Sequence, residues 1–157
     1  MKKVEILYTE YAPVIDAIKY QLQDCEIDCL TEPNNNENYD LVINFGVKYD
    51  GEALACHYSL LPAFNVQEPV KEAILAGVKV TGITIFYTKS KKIVAQYPVF
   101  IKNYSHYDDI EQELKYVEQA LFPLVIQKVL KNEFFDAKEL LKGGCAGNCG
   151  GCNGCNR

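Results

Sequence analysis

The chain has 157 residues and is predicted to form one α/β domain, with a mainly parallel sheet and helices on both faces. Short apolar runs alternate with segments of helical spacing in the order β-α-β-β-α-β-β-α, which favours parallel pairing. Hydrophobic residues make up 48% and charged residues 24%, as in ordinary globular proteins. The composition changes abruptly at Gly143, so we predict a domain over 1–142 and a glycine- and cysteine-rich tail over 143–157.

The first half of the domain shows three apolar runs of strand character. They cover 3–9, 25–30 and 40–45, and Gly46 ends the third. Pro13 stands where the first helix can begin. The residues PNNNEN at 33–38 predict a loop before the third strand. The apolar residues that would face the core from the first helix are Val14, Ile15, Ile18 and Leu22.

In the second half, Pro69 opens a helix and Gly77 ends it as a left-handed cap. Residues 53–57 lead into a short element, and two strands follow the helix over 79–87 and 93–101. The core residues predicted for this helix are Val70, Ala73 and Ile74.

The spacing after residue 107 predicts a long last helix. Asp108 and Glu111 have the spacing of a capping box, and Pro123 is expected to kink or restart the helix. The apolar stripe expected to face the sheet consists of Ile110, Leu114, Val117 and Leu121.

The net charge of −5 argues against nucleic acid as a partner, because tight binding needs several cations on one face. No apolar run has the length of a membrane helix, and the first residues suit a strand better than a signal peptide. We therefore expect a cytosolic protein without membrane or nucleic-acid partners. A small-molecule ligand at the carboxyl ends of the strands, or a protein partner, is the expected alternative.

The segment ACHYSLLPAF at 55–64 carries the most specific motif. From 40 to about 122 the chain resembles the formyltransferase family, whose motif reads Asn-x-His-Pro-Ser-Leu-Leu-Pro. Further along, Ala73, Gly77 and Thr84 fall where that family has an Ala-Gly helix end and a Thr-Gly strand. The resemblance implies a Rossmann-type sheet with a shortened N-terminal half, since about one βα unit is missing between 30 and 40.

The resemblance also implies a folate-type cofactor, 10-formyltetrahydrofolate or a related molecule, and a catalytic role for His57. The alternative for His57 is a structural residue that holds the SLLP turn by a hydrogen bond. In the family, the motif Asn stabilises an oxyanion, the His assists proton transfer and an Asp on a later loop orients the His. The positions predicted to bind ligand are Asn44, Asp50, Ser59, Leu60, Pro62, Thr81 and Gly82.

Several family residues are replaced here. Ala55 replaces the motif Asn and Tyr58 replaces the motif Pro. The later loop is shortened to TKSKK at 88–92 and has no carboxylate. Losing one oxyanion donor lowers a rate by about 100- to 1000-fold. Impaired formyl transfer by a ligand-binding or accessory module is therefore one prediction. An active transferase or hydrolase that uses His57 in a rearranged site is the alternative, and a cleft filled by Tyr58 and Phe86 is a third.

Four of the seven cysteines lie in the tail with the spacing C-x3-C-x2-C-x2-C. Four thiolates on a short glycine-rich segment suit a zinc ion, a copper(I) ion or an iron–sulfur cluster. A disordered tail without metal is the alternative. Cys25, Cys29 and Cys56 are expected to be core residues, with Cys56 pointing away from His57. The predicted metal ligands are Cys145, Cys149, Cys152 and Cys155.

Overall fold

The computed structural model describes residues 1–103 and 105–133. They form a mixed six-stranded sheet in the order β2-β1-β3-β4-β5-β6. Three neighbouring pairs are parallel and the last two, β4 with β5 and β5 with β6, are antiparallel. The strands are β1 (Lys2–Tyr8), β2 (Cys25–Leu30), β3 (Leu41–Phe45), β4 (Leu54–His57), β5 (Val80–Tyr87) and β6 (Ile93–Phe100).

Three helices complete the described fold: α1 (Pro13–Gln21), α2 (Pro69–Leu75) and α3 (Tyr107–Leu130). Prolines open α1 and α2 as predicted, because the missing N–H of a proline is harmless in a first turn. Gly77 ends α2 with a φ of +71°, which confirms the predicted left-handed cap.

The long helix differs from the prediction at two points. It begins after His106, whose backbone N–H donates to the Asp109 carboxylate at 3.1 Å, so the capping box predicted at Asp108 and Glu111 is wrong. The helix also runs through Pro123 without restarting.

The two faces of the sheet are covered differently. Residues of one face, including Val4, Ile43 and Ile85, form the core with the buried side chains of all three helices. We call this the helix face. The opposite face, which carries His57 and Thr84, is the loop face.

Helices were expected on both faces, whereas all the described helices pack on the helix face. The segment between β2 and β3, residues 31–40, is shorter than the usual crossover that includes a helix, and it forms a loop, as its PNNNEN sequence predicts. Glu5, on the loop face of β1 and 2% exposed, accepts a hydrogen bond from the Asn34 backbone at 2.8 Å. This buried carboxylate holds the loop where a further helix would otherwise lie.

None of the described helices combines the length and the apolar character needed to span a bilayer. The cysteine-rich tail predicted over 143–157 lies outside the described residues. The domain division at 142/143 therefore stays a prediction.

Candidate active site

His57 is the last residue of β4, and its ring contacts the segment that follows it. The Nε2 atom lies 3.1 Å from the carbonyl oxygen of Phe64. Because a carbonyl oxygen only accepts, Nε2 carries the hydrogen in this contact and Nδ1 is the remaining ring nitrogen. The same oxygen accepts the Val66 N–H at 2.8 Å, and Phe64 has a left-handed φ of +51°. His57 therefore holds a turn that most side chains disfavour.

The loop over 58–64, which we call the motif loop, is attached to β5 by one buried hydroxyl group. Thr84 Oγ1, on the loop face, donates to the Ser59 carbonyl at 2.7 Å and accepts the Leu61 N–H at 3.0 Å. The Gln96 side chain donates both to this hydroxyl, at 3.0 Å, and to the Leu61 carbonyl, at 2.9 Å. The Ser59 hydroxyl closes the loop on the Ala63 carbonyl at 2.7 Å. These side chains hold the backbone of the motif in one conformation.

The other predicted ligand residues on this loop and strand have different surroundings. Pro62 is exposed. Leu60 is half-buried and packs on Gly82, where a Cβ atom would lie 2.6 Å from Leu60 Cδ2. Thr81 faces the helix side, and its hydroxyl is a buried polar atom without a hydrogen-bond partner among the described residues. Its position is therefore remote from the motif loop.

Asn44 and Asp50 are not brought to His57. The Asn44 amide closes the turn after β3, donating to the Val47 carbonyl at 2.8 Å and accepting the Val47 N–H at 2.9 Å. Asp50 is exposed and does not line the cleft beside His57. Both assignments as ligand residues stay predictions, without support from this geometry.

Thr84 pairs with His57 across β4 and β5, but its hydroxyl is engaged by the loop over 58–64 and Gln96, and the next pair on this face has no hydrogen-bonding side chain. Ala55, in the position of the motif Asn, pairs with Phe86 across β4 and β5, and both lie on the loop face. The loop at 88–92 follows at the opposite end of β4 from His57. Its backbone is held by Glu52, which accepts the N–H groups of Lys89 at 2.8 Å and Ser90 at 3.2 Å. The carboxylate beside this loop is therefore that of Glu52, and it binds the backbone of the loop.

A cleft of about 370 Å³ opens at the end of β4. It contains His57 together with a carboxyl group, that of Glu118 on α3, and an amide group, that of Gln67. Of the two rings in the third alternative, Tyr58 lines this cleft and Phe86 does not, so the two rings do not close it. The residues that line the cleft are Cys56, His57, Tyr58, Val66, Gln67, Pro69 and Glu118.

Glu118 is the main residue that the sequence interpretation missed. It is 9% exposed, and its Oε2 accepts the Tyr58 hydroxyl at 2.6 Å. Burial raises the pKa of Glu118, although its contacts with Tyr58 and Cys56 act in the other direction. Burial and the neighbouring Glu118 raise the pKa of Tyr58 and of Cys56. The sequence feature that could have identified Glu118 is its charge, one turn after Leu114 on the apolar stripe of α3.

The cysteines of the domain occupy the positions of core residues. Cys25, Cys29 and Cys56 are half-buried, have free thiols and pack against the main core. Cys56 lies beside Glu118, whereas His57 bonds to Phe64, so the two neighbours have different partners. Within 1–103 and 105–133, no three His, Cys, Asp or Glu side chains are grouped to hold a metal ion. The four predicted metal-binding cysteines lie outside those residues.

Known proteins with similar sequences match about half of the chain. A phosphoribosylglycinamide formyltransferase of Bacillus subtilis is 37% identical over 86 residues, covering 52% of this chain and 44% of that protein. The human trifunctional purine biosynthetic protein adenosine-3 is 30% identical over 89 residues, 54% of this chain and 9% of that protein. The chain therefore spans less than half the length of these curated relatives.

Solved structures extend the likeness to most of the fold. The phosphoribosylglycinamide formyltransferase of Bacillus halodurans superposes with a TM-score of 0.67 at 23% identity, covering 86% of this chain and all of that one. The formyltransferase PseJ of Anoxybacillus kamchatkensis, solved with a formamido sugar nucleotide and tetrahydrofolate, gives 0.68 at 18% identity, with 85% and 79% covered. At these identities the superpositions show the fold alone.

The sequence model described as "Formyl transferase" matches residues 41–126, which is more than half of the chain. This range contains β3 to β6, the motif loop and the part of α3 that carries Glu118. It also agrees with the range over which the motifs at 55–64 and 73–84 resemble the family. The chain therefore belongs to the formyltransferase family.

Proposed function

We propose that the protein binds a folate-type one-carbon carrier, such as 10-formyltetrahydrofolate, at the end of β4 and transfers its formyl group only slowly. The observation that supports slow transfer is the set of groups around His57. One ring nitrogen holds Phe64, and the neighbouring pair Ala55 and Phe86 offers no side-chain donor to an oxyanion. Formyl transfer passes through an anionic tetrahedral intermediate, so a site without that donor is a poor catalyst.

The folate class of ligand is proposed from the family and from PseJ, whose structure contains tetrahydrofolate. The cleft, with apolar Val66 and Pro69 beside polar Gln67, has the mixed lining usual for small-molecule sites. We extend the proposal to an accessory role in the cytosol, in which the protein acts on a small molecule or a protein partner and not on nucleic acid or a membrane.

A second candidate function is active one-carbon chemistry, either formyl transfer or hydrolysis. It is favoured by the presence of Glu118 and Gln67 in the same cleft as His57, because these supply a carboxyl group and an amide donor from new positions. With Nε2 donating to Phe64, Nδ1 of a neutral His57 is the nitrogen that can accept a proton. This function predicts turnover that depends on His57.

The two functions are separated by measuring binding and turnover on the same preparations. Equilibrium binding of 10-formyltetrahydrofolate and release of tetrahydrofolate are measured for the natural protein, His57→Ala, Ala55→Asn and the control His106→Asn. We expect binding with background turnover in the natural protein, and increased turnover in Ala55→Asn because the amide restores a donor.

Turnover in the natural protein that His57→Ala abolishes and His106→Asn preserves would establish the second function. No detectable binding of 10-formyltetrahydrofolate to the natural protein would refute both functions.

We also propose that the tail holds a zinc ion, a copper(I) ion or an iron–sulfur cluster through Cys145, Cys149, Cys152 and Cys155. Support comes from the number and spacing of the thiols, since soft ligands select these metals. Anaerobic purification followed by elemental analysis should give one metal site per chain, lost when the four cysteines are changed to serine. Metal content far below one site per chain, under all conditions, would exclude the proposal.

A further inference from the structure

We propose that Tyr58 and Glu118 are positioning residues, which fix the orientation of the His57 ring through a hydrogen bond between β4 and α3. Tyr58 directly follows His57, and its hydroxyl donates to Glu118 Oε2 at 2.6 Å. The two partners are 60 residues apart in the chain. The inference rests on the proposed function, in which His57 is the central group of the cleft.

The geometry attaches two consecutive residues to two different parts of the protein. The His57 ring bonds to Phe64 in the motif loop, and the Tyr58 hydroxyl bonds to the long helix. Tyr58 packs against core residues of the helix face, whereas His57 lies on the loop face, so the two hydrogen bonds act on opposite sides of the sheet at one peptide unit. That peptide cannot rotate without breaking one of the two bonds, and the position of the His57 ring depends on its orientation.

Burial strengthens the hydrogen bond between Tyr58 and Glu118. Glu118 is 9% exposed, and water does not readily replace a partner that is lost at such a position. Cys56 contacts the same carboxyl group and packs against the core of the helix face, so the group is held on two sides. The motif residue at position 58 in the family is a proline, which stiffens the chain by its ring. Here a hydrogen-bonded tyrosine restricts the same position.

Glu118 acts through Tyr58 in this inference and not on the ligand. Its hydrogen-bond partners among the described residues are Tyr58 and Cys56, and His57 bonds elsewhere. A purely structural contact would affect the stability of the domain and leave the state of the His57 ring unchanged. The ring itself is therefore the group to observe.

The chain has only two histidines, His57 and His106, which makes imidazole nitrogen NMR of the ¹⁵N-labelled full-length protein directly interpretable. In the natural protein we expect His57 to show a protonated Nε2. In Tyr58→Phe and Glu118→Ala we expect its signals to broaden and shift towards the average of the two tautomers. In Glu118→Gln the amide oxygen can still accept the Tyr58 hydroxyl, so the natural signals should be retained. His106, exposed at the start of α3, is the internal reference.

Tyr58→Phe removes a single hydroxyl and keeps the inference testable if Glu118→Ala fails to fold. Unchanged His57 signals in folded Tyr58→Phe would overturn the inference, as would loss of the natural signals in Glu118→Gln. No folate is present in these spectra, so their outcome is independent of whether a folate binds. If folate binding is found, Tyr58→Phe should weaken it by about fivefold, the factor that corresponds to one typical hydrogen bond.

Discussion

Gly82 and Gly77 are required for different reasons. At Gly82 a Cβ atom would overlap the carbonyl oxygen of Tyr97 and lie 2.6 Å from Leu60 Cδ2. At Gly77 a Cβ atom would meet nothing within 4 Å, but the φ of +71° strains any other residue. The first glycine is needed for close packing of the motif loop on the sheet, and the second for its backbone conformation alone.

Changing each glycine to alanine should separate these two reasons. Gly77→Ala should lower the free energy of unfolding by about 1 kcal/mol, the cost of a left-handed conformation. Gly82→Ala should lower it by at least about 3 kcal/mol, the upper end of overpacking costs, because a backbone oxygen cannot move aside. Urea denaturation of both variants measures the difference. A smaller loss for Gly82→Ala than for Gly77→Ala would mean that the contact with Leu60 and Tyr97 is easily relaxed.

Individual site residues were predictable where the chain itself carries the signal. The motif at 55–64 identified His57 and the absence of an amide at Ala55. The bond from His57 to the Phe64 carbonyl was not readable, because it depends on a left-handed turn at a residue type that seldom adopts one. Glu118, the partner of Tyr58, could not be predicted for a different reason. It lies 60 residues away on another element, and only the register of α3 on the sheet brings it near.

At the scale of elements, apolar periodicity gave the strands and helices with small shifts at their ends. The run predicted over 25–30 coincides with β2, and the apolar faces predicted for α1 and α2 are largely buried. The start of α3 was misplaced because two pairs of residues with the spacing of a capping box overlap there. Asp108 with Glu111 has the spacing of a box, but the chain turns at His106, and Asp109 is the carboxylate three residues later.

The motif loop shows why an element without regular structure keeps its sequence pattern. Its backbone groups are satisfied by Thr84, Gln96 and His57, side chains of the strands beneath it. Buried backbone groups need such partners, since each unpaired one costs about 1–3 kcal/mol. The Ser-Leu-Leu-Pro sequence therefore serves the conformation of the loop even where the oxyanion donor is lost. This is why the motif indicates the fold more firmly than the activity.

At the scale of the whole molecule, the predicted alternation of strands and helices led to the correct fold class but not to its layering. Short connections decide the layering. Between β2 and β3 the chain has room for a loop only, and the final pairs β4–β5 and β5–β6 are antiparallel. Propensity does not reveal pairing direction, which depends on how far the chain must travel between strands.

The buried carboxyl group of Glu118 gives the whole domain a predicted dependence of stability on pH. Burial raises its pKa in the folded protein, so the folded state favours the protonated form. The stabilising contribution is complete below the ordinary value of 4.5 and is lost as pH rises through the raised value. Cys56 and Tyr58 face the carboxyl group, and Lys115 lies on the same helix and acts against the shift.

Glu118→Gln keeps the shape and the acceptor for Tyr58 but cannot ionise. The natural protein should therefore lose stability relative to Glu118→Gln as pH rises from 4.5 towards 8, by about 1.4 kcal/mol for each pH unit by which the pKa is raised. Urea denaturation across that range measures the difference, with Glu113→Gln, an exposed position on the same helix, as the matched control. A difference between the natural protein and Glu118→Gln that stays constant with pH would show that the pKa of Glu118 is not raised on folding, because the contacts with Tyr58, Cys56 and Lys115 fully offset the effect of burial.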